Sequence, residues 1–189
     1  MRNRLVFTAI AGLTLLTSCS TDSSQPAAHP AEHVATTSAA AAPPTSVDPE
    51  QGDPSPGARL TVTGVRLGHH PGFDRVVYEL GGTGRPGWRV RYTDRAVQDG
   101  SGTAVAVAGR SILEVQILGS AYPWDSGVAE YEGPDPVTDP AVPGITGVYG
   151  AHVYEGATRS FIGIDADRPA FSVAALDNPA RLVIDIATP

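Results

Sequence analysis

From residue 59 onwards, apolar and polar residues alternate in short runs that glycine and proline interrupt. In "DRVVYEL" the pattern places Val76, Tyr78 and Leu80 on one face, and "GWRVRYTD" separates apolar from charged positions in the same way. Similar runs follow in "SILEVQIL", "ATRSFIGI", "AFSVAAL" and "ARLVIDI". Short alternating runs bounded by turn residues are typical of strands in an all-β sandwich or barrel. We therefore predict an all-β fold, a small β-sandwich of two sheets, over residues 59–189.

The alternation also predicts which side chains face the core. The residues expected to lie inward are Trp88, Val90, Tyr92, Leu182, Ile184 and Ile186. Those expected to lie outward are Arg89, Arg91 and Asp185. A shift of one residue in either strand would exchange the two sets, because successive side chains point to opposite faces.

A loose internal repeat runs through the same region. Gly64-Val65 precedes a loop and Arg75, as Gly147-Val148 precedes a loop and Arg159. "PGWRV" then parallels "RPAFSV", and "SILEVQI" parallels "RLVIDI". Two similar halves, each contributing one sheet, would explain the match; coincidence between amphipathic strands is the alternative.

The N-terminal residues have the pattern of a lipoprotein signal peptide. Arg2 and Arg4 precede an apolar run from Leu5 to Leu16, which is shorter than the ~20 residues of a membrane-spanning helix. The run ends in Leu16-Thr17-Ser18-Cys19, which resembles the bacterial lipobox. That resemblance implies cleavage between Ser18 and Cys19 and lipid attachment at Cys19. A plain signal peptide with an incidental cysteine is the alternative.

The segment between this cysteine and the strands is predicted to be a tether. Residues 20–58 contain seven prolines and no aromatic residue, leucine or isoleucine. Such a composition buries too little apolar surface to offset the entropy of ordering. We therefore divide the chain into a signal peptide (1–18), a lipidated, disordered tether (19–58) and one folded domain (59–189).

The two ends of the domain resemble a known family. "FDRVVYEL" near its start and "LDNPARLVIDI" at its end are similar to the opening and closing strands of the AMIN domain. The middle segment "PGWRVRYTDRAVQDGSG" is similar to the AMIN-like domain of actinobacterial lipoproteins. The resemblance implies a two-sheet sandwich in the cell envelope, where better-known relatives bind peptidoglycan and position an attached amidase or secretin. No such second domain is recognisable in this sequence.

Charge and motifs narrow the function further. The formal net charge is −7, which disfavours nucleic acid as a partner because its affinity depends on basic side chains. Gly82 to Gly87 spells G-x-G-x-x-G, but an alternating strand follows where a dinucleotide site needs a helix. The domain's three histidines, His69, His70 and His152, lack the H-E-x-x-H spacing of a zinc hydrolase. Ser101 lies in a turn, and Asp165 and Asp167 are expected to be solvated.

We therefore expect no cofactor and no metal, and a non-catalytic module that is anchored to the cell membrane and faces the extracytoplasmic side. Its expected partner is peptidoglycan or an envelope protein. The candidate contacts are the arginines Arg89, Arg91 and Arg95 and the aromatic Trp124 in the long loop 122–143. The arginines could instead pair with Asp94 and Asp99, and Trp124 could pin its loop onto the sandwich. A cell-wall hydrolase and a structural lipoprotein with only protein partners are the alternative functions.

Lipidation gives a direct test. We expect Cys19→Ala to release the protein from membranes or to leave it unprocessed, because the lipid-bearing thiol is lost. Two acyl chains are enough for stable anchoring, so the wild-type chain should enter the detergent phase. Detergent-phase partition combined with intact mass measures both effects, and an unmodified thiol in the wild-type protein would contradict the prediction.

Overall fold

A computed structural model describes residues 42–189. Within this range the chain forms nine strands and one short helix. They are β1 (Glu50–Gly52), β2 (Arg59–His70), β3 (Phe73–Thr83), β4 (Gly87–Thr93), β5 (Ser111–Leu118), α1 (Pro123–Ser126), β6 (Ile145–Tyr154), β7 (Ala157–Ile164), β8 (Phe171–Leu176) and β9 (Arg181–Ala187). The predicted signal peptide, Cys19 and the tether up to residue 41 lie outside the described residues.

The strands form two antiparallel sheets that enclose one core. The five-stranded sheet has the order β1-β4-β5-β7-β6, and the four-stranded sheet has the order β2-β3-β9-β8. This confirms the predicted all-β sandwich. In residues 42–189 we find no helix with the length and apolar character needed to span a membrane.

The internal repeat is visible in the topology, but the halves are interlaced. The first half places the β2-β3 hairpin in the four-stranded sheet and β4-β5 in the five-stranded sheet. The second half does the reverse, with β6-β7 in the five-stranded sheet and β8-β9 in the four-stranded sheet. If each strand of one half is replaced by its equivalent in the other half (β2 by β6, β3 by β7, β8 by β4 and β9 by β5), the order β2-β3-β9-β8 becomes β6-β7-β5-β4, which is part of the five-stranded sheet. The prediction that each half contributes one whole sheet was wrong.

The register of the two hairpins shows how closely the halves correspond. A register shift precedes Gly64 in the β2-β3 pair, and a shift precedes Gly147 in the β6-β7 pair. In the first hairpin Val65 then faces Tyr78, and the second places Val148 opposite Ile162 in the same position. Arg75 lies three residues before Tyr78, and Arg159 lies three residues before Ile162. The two arginines are therefore equivalent residues of the two halves.

The predicted faces are correct for the two strands that were assigned. Val90, Leu182, Ile184 and Ile186 are buried in the core, and Trp88 and Tyr92 are partly buried against it. Arg89 and Arg91 are exposed on the other face of β4. Asp185 also faces away from the core, yet it is only 8% exposed, because the guanidinium of Arg75 covers it.

One polar contact crosses the core between the sheets. The fully buried Tyr78 hydroxyl, from the four-stranded sheet, donates to Ser160 Oγ in the five-stranded sheet at 3.0 Å. Ser160 Oγ in turn donates to the Tyr149 carbonyl at 2.9 Å. Burial raises the pKa of Tyr78, which keeps its hydroxyl protonated and able to donate. Both buried hydroxyl groups are thereby satisfied.

The folded unit begins earlier than the sequence suggested. Residues 42–58, which composition assigned to the tether, lie against the sandwich: β1 pairs with β4, and the Phe171 N–H donates to the Ser46 carbonyl at 2.8 Å. Gly52 lies against the Trp88 ring. The segment is held by main-chain hydrogen bonds and close approach of small residues. An argument based on buried apolar side chains therefore missed it.

This packing gives a stability test. A Cβ added at Gly52 would lie 2.6–2.8 Å from carbons of the Trp88 ring, so Gly52→Ala should lower the free energy of unfolding by about 1–3 kcal/mol. In the matched control Gly68→Ala, also within a strand, the nearest heavy atom is 3.7 Å away and stability should hold or rise slightly. Urea denaturation measures both; equal stability of the two variants would mean that residues 42–52 do not pack on the domain.

Candidate functional site

The outer face of the five-stranded sheet carries a row of polar side chains, one from each strand. Cross-strand pairing aligns them in the order Gln51, Arg89, Gln116, Arg159 and His152. Directly paired residues lie on the same face of a sheet, so these five side chains form one continuous strip. We call them the polar row.

A network of charges lies beside the polar row. Arg91 Nε donates to Glu114 Oε2 at 2.9 Å, and Arg159 Nε lies 3.4 Å from the other carboxylate oxygen. Arg159 Nη1 also lies 3.0 Å from Asp99 Oδ1. Glu114 is only 6% exposed, so its charge needs both arginines. The network joins β4, β5 and β7 and attaches the loop 94–110 to the sheet through Asp99.

The three predicted arginines have different surroundings. Arg89 is exposed and forms no ion pair within residues 42–189, whereas Arg91 is bound to Glu114. Both line a groove of about 560 Å³ together with Gln51 and Gln116. Arg95 is exposed in the following loop and does not line that groove.

The alternative partners expected for these arginines were wrong. Asp94 binds Arg168 at 2.6 Å, and Asp99 binds Arg159 at 3.0 Å. Arg159 and Glu114 were not among the candidate site residues. The repeat was the one signal for Arg159, since it aligned this residue with Arg75.

Trp124 lies on the surface, so the alternative that it pins its loop onto the sandwich does not hold. Its side chain is 77% exposed and stacks on the Tyr122 ring, with 4.6 Å between centroids and 9° between planes. Tyr131 attaches the loop instead: it packs against the core, and its N–H donates to the Val62 carbonyl at 2.8 Å.

The turn that carries Trp124 is firmly held. Thr61, buried in β2, donates to the Ala121 carbonyl at 2.6 Å, and its hydroxyl lies 2.6 Å from Ser126 Oγ. Gly127, with φ of 77°, ends α1 in the left-handed conformation that glycine adopts without strain. The backbone of the turn that bears the exposed indole is therefore anchored to β2.

A further exposed aromatic side chain lies beside the polar row. Tyr154, at the end of β6, is exposed, and its pKa is raised chiefly by the charge of Glu155, with smaller effects of Tyr122 and Asp99. Its ring lies beside the 94–110 loop, since a Cβ added at Gly100 would lie 3.0 Å from it. Tyr154 also lines a shallow groove of about 290 Å³ that includes Arg89, Gln116 and Arg159. Tyr154 therefore adjoins the polar row.

The remaining motifs are dispersed. The glycine-rich segment 82–87 leads from β3 directly into β4. His69 binds Asp74 at 2.6 Å and His70 stacks on Phe73, both on the four-stranded sheet, whereas His152 lies on the five-stranded sheet. In residues 42–189 no three histidine, cysteine or acidic side chains are grouped in a way that could hold a metal ion. Asp165 and Asp167 are exposed in the loop after β7.

Comparison with known proteins gives one match. The family model of the AMIN-like domain matches residues 60–188, which is most of the chain. No curated protein and no solved structure matches the chain.

The charge network generates a stability prediction. Glu114→Gln should lower the free energy of unfolding by about 1.5–3 kcal/mol, because Arg91 and Arg159 lose a shared, shielded carboxylate. The matched control is Glu79→Gln, whose pair with Arg66 is solvent-exposed and contributes about 0–1 kcal/mol. Urea denaturation at low and high salt distinguishes the two, since a buried network is screened less. A Glu114 variant as stable as the Glu79 variant would contradict this account.

Proposed function

Because the chain belongs to the AMIN-like domain family, we propose that it is a lipid-anchored, non-catalytic module of the cell envelope that binds peptidoglycan. The family indicates an extracytoplasmic binding domain. The observation that supports a wall polymer as the partner is the combination of an exposed Trp124 indole with Arg89, which is exposed on the five-stranded sheet and forms no ion pair within residues 42–189. An envelope protein is the alternative partner.

The aromatic turn is suited to a sugar ring. An indole with one face on Tyr122 leaves the other face free for the apolar C–H groups of a pyranose. Next to it lies a recess of about 340 Å³ whose lining includes Arg59 and Asp125, and these two side chains can exchange hydrogen bonds with hydroxyl groups. An apolar plate flanked by polar groups matches the two kinds of surface that a glycan presents.

Arg89 is suited to the acidic part of the same polymer. Peptidoglycan carries carboxylates on its peptide stems, and a guanidinium binds a carboxylate through two parallel hydrogen bonds. Arg91 is bound to Glu114, whereas Arg89 forms no ion pair within residues 42–189. Of these two predicted contacts, Arg89 is therefore the one whose guanidinium can bind a ligand. We therefore assign the carboxylate contact to Arg89 and leave Arg95 outside the site.

A sacculus pull-down with the purified full-length chain tests this function. We expect Trp124→Ala to weaken binding by about two- to tenfold, the range of an aromatic contact. Arg89→Gln should weaken binding at low salt and make the remainder less sensitive to added salt, because a charge contact is screened. The matched controls are Leu176→Ala, an exposed apolar residue on β8, and Arg66→Gln on β2 of the other sheet.

The outcomes separate the candidate functions. Undiminished binding by folded Trp124 and Arg89 variants would remove this surface from consideration. Absence of binding by the wild-type chain would favour a structural lipoprotein with only protein partners. Release of soluble wall fragments during the incubation would favour the hydrolase alternative.

A further inference from the structure

The repeat provides an internal comparison for Arg159. Its equivalent, Arg75, faces Asp185 across the strand pair, and the two form a fork with Nε–Oδ1 at 2.7 Å and Nη2–Oδ2 at 2.8 Å. This two-point pair satisfies the guanidinium within the sheet. In the first half of the repeat, the arginine at this position therefore has a structural role.

Arg159 lacks such a partner. The residue directly across the strand pair is Gln116, which is neutral. Its ion pairs are single-point contacts with Asp99 and Glu114, and the buried Nε–H has no hydrogen-bond partner within residues 42–189. The two terminal nitrogens carry four N–H groups, of which the ion pair with Asp99 uses one, so this guanidinium, whose side chain is one quarter exposed, has donors left for a ligand.

The second half departs from the first at this same point. An extra residue in β6, between Gly150 and His152, produces a bulge that places His152 opposite Arg159; the corresponding residue in β2 is Gly68. The bulge residue Ala151 has φ of 106°, which is strained for a residue with a side chain. Bulges commonly re-aim a side chain beside a binding site.

The connecting loops also differ between the halves. The β4-β5 connection is the long loop 94–110, whereas β8 and β9 are joined by the short turn 177–180. Gly163 allows the loop to approach the sheet, since a Cβ there would overlap the Ala108 carbonyl. Together with the bulge, the loop encloses a cavity of about 350 Å³.

The cavity has an apolar wall and a charged side. The wall consists of Val97, Val105 and Phe161. The charged side consists of Arg159, His152, Asp99 and Asp135. Basic and acidic groups thus occur together, so the lining complements a ligand that carries both signs of charge. A volume near 350 Å³ is at the small end of ligand sites.

We propose that this cavity binds the zwitterionic form of an amino acid or short peptide with small aliphatic side chains. The ligand carboxylate takes the unused donors of Arg159 and a ring N–H of His152. The ammonium group binds Asp99 and Asp135, and the aliphatic side chain lies against the wall. The site does not depend on the proposed wall function, since free amino acids and short peptides carry both charged groups whatever their source.

Titration calorimetry of the full-length chain with alanyl-alanine tests the site. We expect binding in about the millimolar range or tighter, and a loss of at least about tenfold when either the amine is acetylated or the carboxylate is amidated. Arg159→Gln should abolish binding, whereas the matched Arg75→Gln should preserve it in the protein that remains folded. Because Arg159 also supports Glu114, the exposed variants His152→Ala and Asp135→Asn test the same cavity with less risk to folding.

Three results would overturn the inference that the cavity binds a zwitterion. No heat with alanyl-alanine, equal binding of the blocked analogues, or full binding by folded His152 and Asp135 variants would each refute it. A second arm compares alanyl-alanine with the same dipeptide at the end of a muropeptide. In the muropeptide the amine of this dipeptide is part of a peptide bond, so the ammonium contact is lost and binding should fall as it does for the acetylated dipeptide. Weaker binding of the muropeptide supports the site and identifies a free peptide as its ligand, whereas equal or tighter binding would contradict the ammonium contact with Asp99 and Asp135.

Discussion

The hydrogen bond between Tyr78 and Ser160 fixes the arrangement on which the outer surface depends. Tyr78 is among the largest fully buried side chains, and leaving its hydroxyl unpaired would cost about 1–3 kcal/mol. Its partner Ser160 must therefore point inward, and strand alternation then directs Arg159 and Phe161 to the outer face of β7. A one-residue slip of β7 would bury a guanidinium and break this contact at once. The core thus determines which side chains reach the candidate site.

The interlaced repeat separates what holds the domain together from what distinguishes its two faces. Each half supplies one hairpin to each sheet, so neither half can bury its apolar face without the other. The departures from symmetry concern the five-stranded sheet: the edge strand β1, the loop 94–110, and the bulge at Ala151. On the four-stranded sheet the equivalent arginine is neutralised by Asp185. The symmetric part therefore accounts for the fold, and the asymmetric elements surround the arginines of the five-stranded sheet that have unused bonding capacity.

Sequence reasoning succeeded where side-chain alternation determines the structure and failed where long-range or main-chain contacts do. The period-two pattern was enough to assign the inward faces of β4 and β9, and the exposed positions of Arg89 and Arg91. It could not show that β1 pairs through its backbone, since Glu50–Gly52 has no apolar pattern. Nor could it show that Asp99 meets Arg159, a contact between distant segments. Nor could it decide whether Trp124 is exposed or pins its loop, because the burial of one aromatic depends on the turn that carries it, which Thr61 anchors from another strand.

The two proposed sites share residues, and this has a thermodynamic consequence. Arg159 and Asp99 line both the cavity and the shallow groove that contains Arg89. A carboxylate that binds Arg159 competes with Asp99 for the guanidinium, and an ammonium group that binds Asp99 competes with Arg159. Either event changes the charge presented beside Arg89. Since coupling between two sites is reciprocal, a ligand in the cavity that alters affinity at the groove must have its own affinity altered by the same factor. The Arg159–Asp99 ion pair is the element through which such coupling would act.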